Sequence, residues 1–568
     1  MTPIDETFPR TITRLPQDAR TVWLFEDRAS RRAAERNGGP RLRSAYKTLL
    51  HDVVEDGLLD GATRATIHYP VVDGCPRDRF RLECYPLHAL FEGCEIHFAP
   101  RDHNGGGLPE YTVETDRARH KVAVPVRWTT MADGRSALSA CGWWEPVTGD
   151  GGPLPTEYEL IFARVCKALS VLPLDPLSPD APHGPFFERL EIDATIPAAD
   201  MRLPVGHECI SLAEALHEEL YFVSLEIFRA RLGLGPEDRS VACGQIVPRI
   251  AVSSKPRLTM RLSSGTAAHE ATPPTRPALA DATDWLAPEA IAGHLSLLGG
   301  TRYAAMSRQG RAVPGTFVAG TGAARLAISA GQHANESSPM VGALRAARDL
   351  AAQGTVSFTL NALENPDGYA VFRELCAANP THMHHAARYT ASGADLSHGM
   401  GTYESAIRTL ARSHLAAEVH VNLHGYPSHE WTRPLTGYVP DGFAQWTIPK
   451  GFFLILRHAP DRADLARLVL EAALDALAGF PELVAQNRRM LDLYGRYVSQ
   501  RSFEVHRGAI PFTVTPTADP DYPVTLITEA PDETIRGEDF RIAHEAQYRT
   551  VRAVAAALAT RGATRDGA

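Results

Sequence analysis

From about residue 284 onward, hydrophobic and polar positions switch between the period of a strand and the period of a helix. Short apolar runs, typical of buried strands, lie at 324–330, 355–361, 418–423 and 522–528. Apolar residues spaced three and four apart predict helices at 284–298, 338–352, 462–477 and 537–558. Strands that alternate with helices in this way predict one α/β domain with a central sheet flanked by helices.

Before that point the pattern is less regular and predicts a mixed β and α region. Hydrophobic and polar residues alternate at 79–84 and again at 120–128, which is the period of a half-buried strand. Ser211, with Glu214 three positions later, has the form of a capping box and predicts a helix from there to about Leu232.

Inside this predicted helix, His217 and Glu218 are adjacent and look like metal ligands. Neighbouring positions of a helix face different directions, so two such side chains do not converge on one ion. We therefore interpret both as surface or packing residues.

The segment 269–283 reads HEATPPTRPALADAT, and its prolines and small residues are typical of a linker. The sequence therefore predicts an N-terminal mixed α+β region over 1–268, with room for more than one unit and no role that its residues reveal. The α/β domain is predicted to occupy 284–568.

Composition narrows the function classes. The chain is 44% hydrophobic and 22% charged, which is ordinary for a globular protein with a full core. Its net charge is −9 with no basic block, so the electrostatic footprint of nucleic-acid binding is missing. The eight cysteines are scattered, the N-terminus has no signal-peptide pattern, and no apolar run is long enough to span a bilayer. Together these features predict a cytoplasmic protein with no membrane partner.

One pattern of chemistry-bearing residues survives inspection. Of the 23 histidines only His333 has a glutamate three positions later, Glu336. The pair follows the predicted strand 324–330, and the carboxyl ends of strands are where open α/β sheets place their sites. A hydrolytic zinc site takes nitrogen and oxygen ligands from three side chains and leaves one position for water. His333 and Glu336 can supply two of the three.

The third ligand should come from another strand end. His424 directly follows the predicted strand 418–423. His420 lies inside that strand and is interpreted as a core histidine, whereas His429 in the following loop remains an alternative ligand. The sequence thus predicts a zinc site held by His333 and Glu336 with His424.

The order of these elements resembles the zinc carboxypeptidases. After His-x-x-Glu come Asn-Pro-Asp-Gly at 365–368, then RYTASGADL at 388–396, then a strand that ends in Leu-His. The spacing of 88 from Glu336 to His424 resembles that in compact members of the family. The resemblance covers about residues 284–560, and the N-terminal region has no counterpart in it.

The resemblance implies a carboxypeptidase-like mixed sheet and a zinc-dependent hydrolase of amide or peptide bonds. His333, Glu336 and His424 match the zinc ligands, and Asp395 matches the carboxylate that orients a ligand histidine. Arg388 matches the arginine that, with the zinc, holds the oxyanion.

The resemblance also implies a general base that activates water, a glutamate near the end of a late strand. Glu529 follows the predicted strand 522–528 and is the expected base. Glu533 is the second choice for this role, and Glu504 is less favoured.

Ser397 and His398 stand where family peptidases have Asn-Arg, which grips the terminal carboxylate of the substrate. Serine is a neutral donor and histidine is only partly charged near neutral pH, so the bidentate guanidinium grip is missing. We expect Ser397 and His398 to contact the substrate while holding a terminal carboxylate weakly. Anchoring by the loop 426–434 or by the N-terminal half is the alternative.

The family's substrate-covering tyrosine has three candidates, Tyr438, Tyr494 and Tyr497. The expected substrate is a peptide or an acylated small molecule, and the oligomeric state is left open.

Two other functions compete with amide hydrolysis of this kind. One is a deacylase of N-acyl amino acids that resembles succinylglutamate desuccinylase or aspartoacylase. That family shares the compact ligand spacing but explains neither 365–368 nor the large first half. The other is an inactive binding protein on the same fold. The complete ligand set, together with Arg388 and Glu529, argues against it.

Overall fold

A computed structural model describes residues 2–178, 183–236, 238, 240–265, 278–396, 403–439, 443, 446–517 and 521–566. The described residues of the second half form a nine-stranded mixed sheet. Its strands, in spatial order, are β17 (Thr301–Met306), β18 (Ala312–Val318), β20 (Ser357–Asn361), β19 (Arg325–Ser329), β21 (Val419–Pro427), β25 (Val524–Asp532), β22 (Phe453–His458), β24 (Ile510–Pro516) and β23 (Glu504–His506).

The centre of this sheet is parallel and is flanked by antiparallel pairs, with one further parallel pair, β22 with β24, near the edge. β20, β19, β21 and β25 run in the same direction, while β18 and β22 pair antiparallel on the two sides. All nine residues of β21 are buried, as expected of a central parallel strand covered on both faces. The predicted α/β class with a mixed central sheet is confirmed.

Helices cover both halves of the chain. They are α1 (Arg28–Arg36), α2 (Thr48–Asp56), α3 (Arg79–Leu82), α4 (Leu87–Leu90), α5 (Glu157–Ser170), α6 (Leu212–Arg231), α7 (Pro288–Ser296), α8 (Ser338–Gln353), α9 (Pro366–Ala378), α10 (Ala406–His414), α11 (Ala463–Ala478), α12 (Pro481–Tyr497) and α13 (Gly537–Asp566). α13 packs against both α8 and α11 beside the large sheet. In the described part of the chain, no helix has the length and apolar character needed to cross a bilayer. The cytoplasmic location stays a prediction.

The N-terminal region contains smaller sheets. Three have four strands each: β1 (Ile4–Thr7), β16 (Arg257–Ser263), β12 (Arg189–Ile196), β15 (Gln245–Val252); β11 (Gly152–Pro153), β10 (Trp143–Pro146), β2 (Ala19–Leu24), β3 (Arg41–Ser44); and β5 (Glu95–Asp102), β4 (Arg64–Val71), β6 (Glu110–Thr115), β7 (Arg119–Ala123). Two are strand pairs: β8 (Val126–Thr130) with β9 (Ser136–Ala140), and β13 (Met201–Arg202) with β14 (Cys209–Ile210).

The two halves pack closely. Buried side chains of both, from Trp23 to Leu558, belong to one contiguous hydrophobic core of the described residues. Arg189 and Arg249 of the N-terminal region reach Glu374 on α9 at 2.7 and 2.6 Å. Residues 269–277 of the predicted linker 269–283 lie outside the described residues, so the domain boundary stays a prediction.

Several predicted elements need correction. The predicted strand at 79–84 is wrong, because these residues form α3 and a turn. The amides of Leu82 and Glu83 donate to the carbonyls of Asp78 and Arg79, and the Arg79 guanidinium binds Glu83 one turn later at 3.1 Å. An ion pair at i,i+4 favours a helix, and six residues of alternation are too few to exclude one.

The alternating run at 120–128 is two strands rather than one. Pro125 has no amide hydrogen to donate, so β7 ends before it and β8 begins after it in a different sheet. The helix predicted from 284 begins only at Pro288, because a residue before proline is held extended, as Ala287 is with ψ 147°.

The helix predicted from Ser211 is confirmed as α6, with the Ser211 hydroxyl accepting the Glu214 amide at 3.0 Å. The Glu214 carboxylate does not complete the capping box and instead accepts the amide of Met383 at 2.8 Å. His217 and Glu218 are buried, at 4% and 0% exposure. The interpretation of these two as surface residues is therefore wrong, and the alternative interpretation as packing residues is confirmed.

The Asn-Pro-Asp-Gly motif has a structural explanation in its aspartate. Asp367 is fully buried and accepts the Ser307 hydroxyl at 2.8 Å, the Gln309 amide at 2.9 Å and the Arg311 guanidinium at 2.7 Å. These bonds hold the turn between β17 and β18 against the start of α9.

We predict that Asp367→Ala lowers the free energy of unfolding by about 3 kcal/mol, because it removes a buried carboxylate that accepts bonds from Ser307, Gln309 and Arg311. Asp464→Ala is the matched control, since Asp464 forms its ion pair with Arg467 while 94% exposed and should change stability little. Denaturant unfolding of both variants checks this; equal midpoints would contradict the role given to Asp367.

Candidate metal centre and its cleft

The three side chains predicted as zinc ligands meet at one end of the large sheet. The Nδ1 atom of His333 lies 2.7 Å from Glu336 Oε1 and 3.1 Å from Nδ1 of His424, which is 3.1 Å from Glu336 Oε2. All three side chains are buried, and their candidate ligand atoms lie within 4.8 Å of one another. The sequence thus predicted a cluster that the fold assembles.

The donor set fits a zinc ion. Two imidazole nitrogens that face each other at 3.1 Å beside a carboxylate form an N2O set, which is typical of hydrolytic zinc sites. The far nitrogen of His333, Nε2, lies 3.7 Å from the Asp395 carboxylate. A carboxylate there is the expected partner for the outer nitrogen of a ligand histidine.

Glu336 is held in place by a backbone amide of β21. Its Oε2 accepts the Gly425 amide at 2.9 Å. A side chain at position 425 would meet the Cβ of Asp532 at 2.6 Å, so glycine permits this close approach. The Asp532 carboxylate in turn accepts the amides of Ser337 and Ser338 at 3.1 and 3.0 Å and fixes the start of α8 beside Glu336.

The pairing of β21 with β25 brings the expected base to the cluster. His424 and Glu529 are direct partners in this parallel register, so their side chains leave the same face of the sheet. The Gln547 side chain from α13 donates to the His424 carbonyl at 2.9 Å, while the His424 amide donates to the Thr528 hydroxyl at 3.2 Å. The backbone at His424 is thereby held by its neighbours on both sides.

Both strands are longer than predicted. β21 continues to Pro427 and β25 to Asp532, so His424 and Glu529 lie inside strands rather than after them. Pairing continues there residue by residue, from His424 opposite Glu529 to Pro427 opposite Asp532.

Arg388 reaches the cluster from the loop after α9. Its Nη1 lies 3.3 Å from Glu336 Oε1. The Asn365 side chain caps α9 by accepting the Gly368 amide at 2.8 Å and donates to the Arg388 carbonyl at 3.2 Å. The first residue of the Asn-Pro-Asp-Gly motif therefore helps to position Arg388.

Glu529 lies among strong charges. Burial, and after it repulsion by the Glu336 carboxylate, raise the pKa of Glu529 well above its usual value, against the pull of Arg388 and Lys450. Burial lowers the pKa of Lys450 to about 7, although Glu529 opposes this shift. Sequence reasoning missed Lys450, and no spacing signal in the sequence marks it.

The Lys450 ammonium lies within an aromatic box. It is 4.4 Å from the ring centres of Trp446 and Phe453 and 5.2 Å from that of Tyr426. Aromatic faces attract a cation, which offsets part of the cost of burying this charge next to the cleft.

A cleft of about 430 Å³ lies beside this centre, with Arg388, Asp395 and Glu529 in its lining. The second half of the chain contributes Arg388, Tyr389, Asp395, Gly425, Tyr426 and Glu529 to its lining. The N-terminal region contributes the opposite wall, with residues of α6 and with Asp133 and Arg135 at the turn between β8 and β9. The cleft is thus built by both halves of the chain.

The alternative histidines lie elsewhere. Nε2 of His429 is 3.3 Å from the Glu214 carboxylate, away from the cluster. His420 is buried with its Nε2 2.7 Å from the Ser329 hydroxyl, as expected of a core histidine. Ser397 and His398 fall outside the described residues, so their contact with substrate stays a prediction.

The alternative bases and the candidate tyrosines do not line the cleft among the described residues. Glu533 is 1% exposed just past β25, and burial raises its pKa to about 7, whereas Glu504 is exposed on the edge strand β23. The three tyrosines proposed to cover the substrate, Tyr438, Tyr494 and Tyr497, are buried in the core, and Tyr389 and Tyr426 line the cleft instead.

Comparison with known proteins gives fold-level similarity. No family model matches the chain, and no curated protein sequence matches it. Similar solved structures include a metallo-carboxypeptidase from Burkholderia cenocepacia, at 13% identity and a TM-score of 0.31, covering 54% of this chain and 76% of that one. A metallo-carboxypeptidase from Pseudomonas aeruginosa in complex with (2-guanidinoethylmercapto)succinic acid is similar at 13% identity and TM-score 0.31, covering 54% and 72%.

Thrombin activatable fibrinolysis inhibitor is similar at 10% identity and a TM-score of 0.34, over 51% of this chain and 81% of its own.

We predict that the purified protein binds one zinc ion per chain and that His424→Ala loses it, because two ligands remain where three are needed. His420→Ala is the control, since it removes a buried histidine of the same strand that lies outside the cluster. Metal analysis after dialysis checks both variants. Full zinc retention by His424→Ala would show that another side chain, such as His429, completes the site.

Proposed function

We propose that the chain is a zinc-dependent hydrolase of amide or peptide bonds of the metallocarboxypeptidase kind. The observation that carries the proposal is that Arg388 and Glu529, which line one cleft, lie beside the buried cluster of His333, Glu336 and His424. A ligand set alone would serve a structural metal, but structural zinc sites are closed by four protein ligands. Among the described residues this cluster has three, with the cleft-lining Arg388 and Glu529 beside them.

His333, Glu336 and His424 would hold the ion. A zinc ion there supplies positive charge that polarises a carbonyl, lowers the pKa of water and favours the charged form of Glu529. His333 keeps its orientation through Asp395, so the ligand nitrogen stays directed at the cluster.

Glu529 takes the proton of the attacking water in this proposal. Its position opposite His424 in the register directs its carboxylate to the same face of the sheet as the His424 imidazole. The same carboxyl then returns the proton to the departing nitrogen, which balances the reaction of one amide and one water to an acid and an amine.

Arg388 donates to the oxygen on which negative charge develops. Its guanidinium already lies near the cluster and lines the cleft, so little reorganisation is needed as charge builds. Arg388 with the zinc ligands and Glu529 provides ligand, base and oxyanion donor at one place.

The cleft volume of about 430 Å³ suits a small molecule or the end of a peptide chain. We propose a substrate of this class, either a peptide or an acylated small molecule. Hydrolysis of N-acyl amino acids in preference to peptides would support the deacylase alternative.

We predict that Glu529→Gln lowers kcat by about 10²–10⁴-fold and leaves zinc content and the midpoint of thermal unfolding nearly unchanged, because a general base acts in the transition state. Steady-state kinetics with a panel of blocked dipeptides and N-acyl amino acids checks the rate, and metal analysis checks the site.

Glu533→Gln serves as the comparison variant, since Glu533 is the second choice for the base and is buried outside the cleft lining. If Glu533→Gln loses activity while Glu529→Gln keeps it, the base assignment is wrong. A zinc-loaded wild type that hydrolyses no member of the panel would favour an inactive binding protein.

A further inference from the structure

Helix α6 of the N-terminal region forms one wall of the cleft. Phe222, Leu225, Glu226 and Arg229 of this helix line it. Their spacing of three and four places them on a single helix face, and Glu218 lies one turn before Phe222 on the same face. The part of the chain without a predicted role therefore faces the proposed substrate.

Glu218 holds two side chains that line the cleft from the other half. It is fully buried, and its Oε2 lies 2.7 Å from Nδ1 of His385 and accepts Nε1 of Trp431 at 3.1 Å. The imidazole and indole rings pack with their centres 4.8 Å apart. A single carboxylate of the N-terminal region thus fixes the position of His385 and Trp431.

His385 and Arg388 lie on the same side of a tight turn. Residues 385–387 form one turn of 3-10 helix, and the Arg388 amide donates to the His385 carbonyl at 3.0 Å. Side chains three positions apart are nearly eclipsed in this geometry, and both of these line the cleft. The imidazole is therefore a neighbour of the proposed oxyanion donor.

The charges around His385 favour its protonated form. The Glu218 carboxylate from α6 and the Glu533 carboxylate after β25 outweigh burial and the repulsion of Arg388, so the pKa of His385 is raised. Two further histidines, His217 and His384, face the same group, and their own pKa values are lowered by burial. Because Glu218 occupies Nδ1, the protonated ring has Nε2–H left to donate.

We propose that Glu218 positions His385 to bind a carboxylate group of the substrate beside the scissile bond, so that helix α6 is part of the substrate-binding site. The inference rests on the proposed hydrolase function. A protonated imidazole next to Arg388 places two positive groups on one side of the cleft. The aromatic faces of Trp431 and Phe222 limit access of water there, which strengthens a charge-assisted hydrogen bond.

The test compares two probes, N-benzoylglycyl-L-phenylalanine and its carboxamide, with zinc-loaded full-length protein. The readout is the ratio of kcat/KM for the acid to kcat/KM for the amide, which does not depend on the fraction of folded enzyme. Wild type should prefer the acid, and Glu218→Gln should lower the ratio about tenfold at pH 7.5, as expected when a charge-assisted bond is lost. The change should appear mainly in KM.

Glu219→Gln is the matched control. Glu219 is the next residue of the same helix, is equally buried, and binds the Thr436 amide at 3.0 Å and hydroxyl at 2.8 Å rather than His385. Its variant should keep the wild-type ratio. An equal fall of the ratio in both variants would overturn the proposal, because the effect would then be a general loss of packing.

The pH dependence separates positioning from packing. A raised pKa keeps His385 protonated to higher pH, so the preference for the acid is present below that pKa and is lost as pH rises through it. In Glu218→Gln the loss should occur at lower pH, and the preference should return when the sample is acidified. A ratio that stays low at every pH would contradict the role given to the Glu218 charge.

A second variant covers the case that Glu218→Gln does not fold. His385→Gln removes the charge at the other end of the pair and should lower the same ratio about tenfold with little pH dependence.

Calorimetric binding of the two probes to zinc-loaded Glu529→Gln separates this inference from the proposed function. If this variant binds the acid selectively but wild type turns over neither probe, the proposed hydrolase function is wrong and the carboxylate site stands. If the variant binds acid and amide equally, the carboxylate site is wrong and the hydrolase function stands.

Discussion

The pairing of β21 with β25 beyond the predicted strand ends is the constraint on which the rest of the site depends. His424 lies opposite Glu529 in this register, and three positions later Pro427 lies opposite Asp532. Asp532 fixes the first amides of α8, and Gly425 gives its amide to Glu336. One strand pair therefore sets a ligand, the proposed base and the backbone that holds a second ligand.

Assembling these groups concentrates like charges in a buried place. Glu336 and Glu529 repel each other, and burial adds to the cost of their charged forms. Arg388 and Lys450 supply positive charge nearby, the latter inside its aromatic box. Groups with strongly shifted pKa values beside a cleft are typical of sites that move protons, and here the shifts have a named electrostatic origin.

The N-terminal region is connected to the cleft by buried carboxylates of α6. Glu214 binds the amide of Met383, Glu218 binds His385 and Trp431, and Glu219 binds Thr436. Buried carboxylates without such donors would cost stability, so these bonds favour the docked arrangement of the two halves. The α6 wall of the cleft is therefore tied to the second half by buried polar contacts.

The sequence by itself determined the α/β class, the four central strands to within a few residues, and the His333, Glu336 and His424 cluster. These features depend on local periodicity and on residue types that must follow strands, both of which are readable along the chain. Two mispredicted elements, the strand at 79–84 and the helix start at 284, also have local causes. The i,i+4 ion pair of Arg79 with Glu83 favours a helix, and Pro288 sets where α7 begins.

Only the tertiary structure decided which side chains surround that cluster. Lys450, His385 and Glu218 carry no spacing signal, because they come together through the packing of α6, the loop after α9 and the segment before β22. From the sequence, Glu218 was interpreted only beside its helix neighbour His217. Its partners in the structure, His385 and Trp431, lie more than 160 residues away along the chain. Contacts of such separation depend on how completed elements dock, and hydrophobic periodicity specifies the faces of those elements but not their partners.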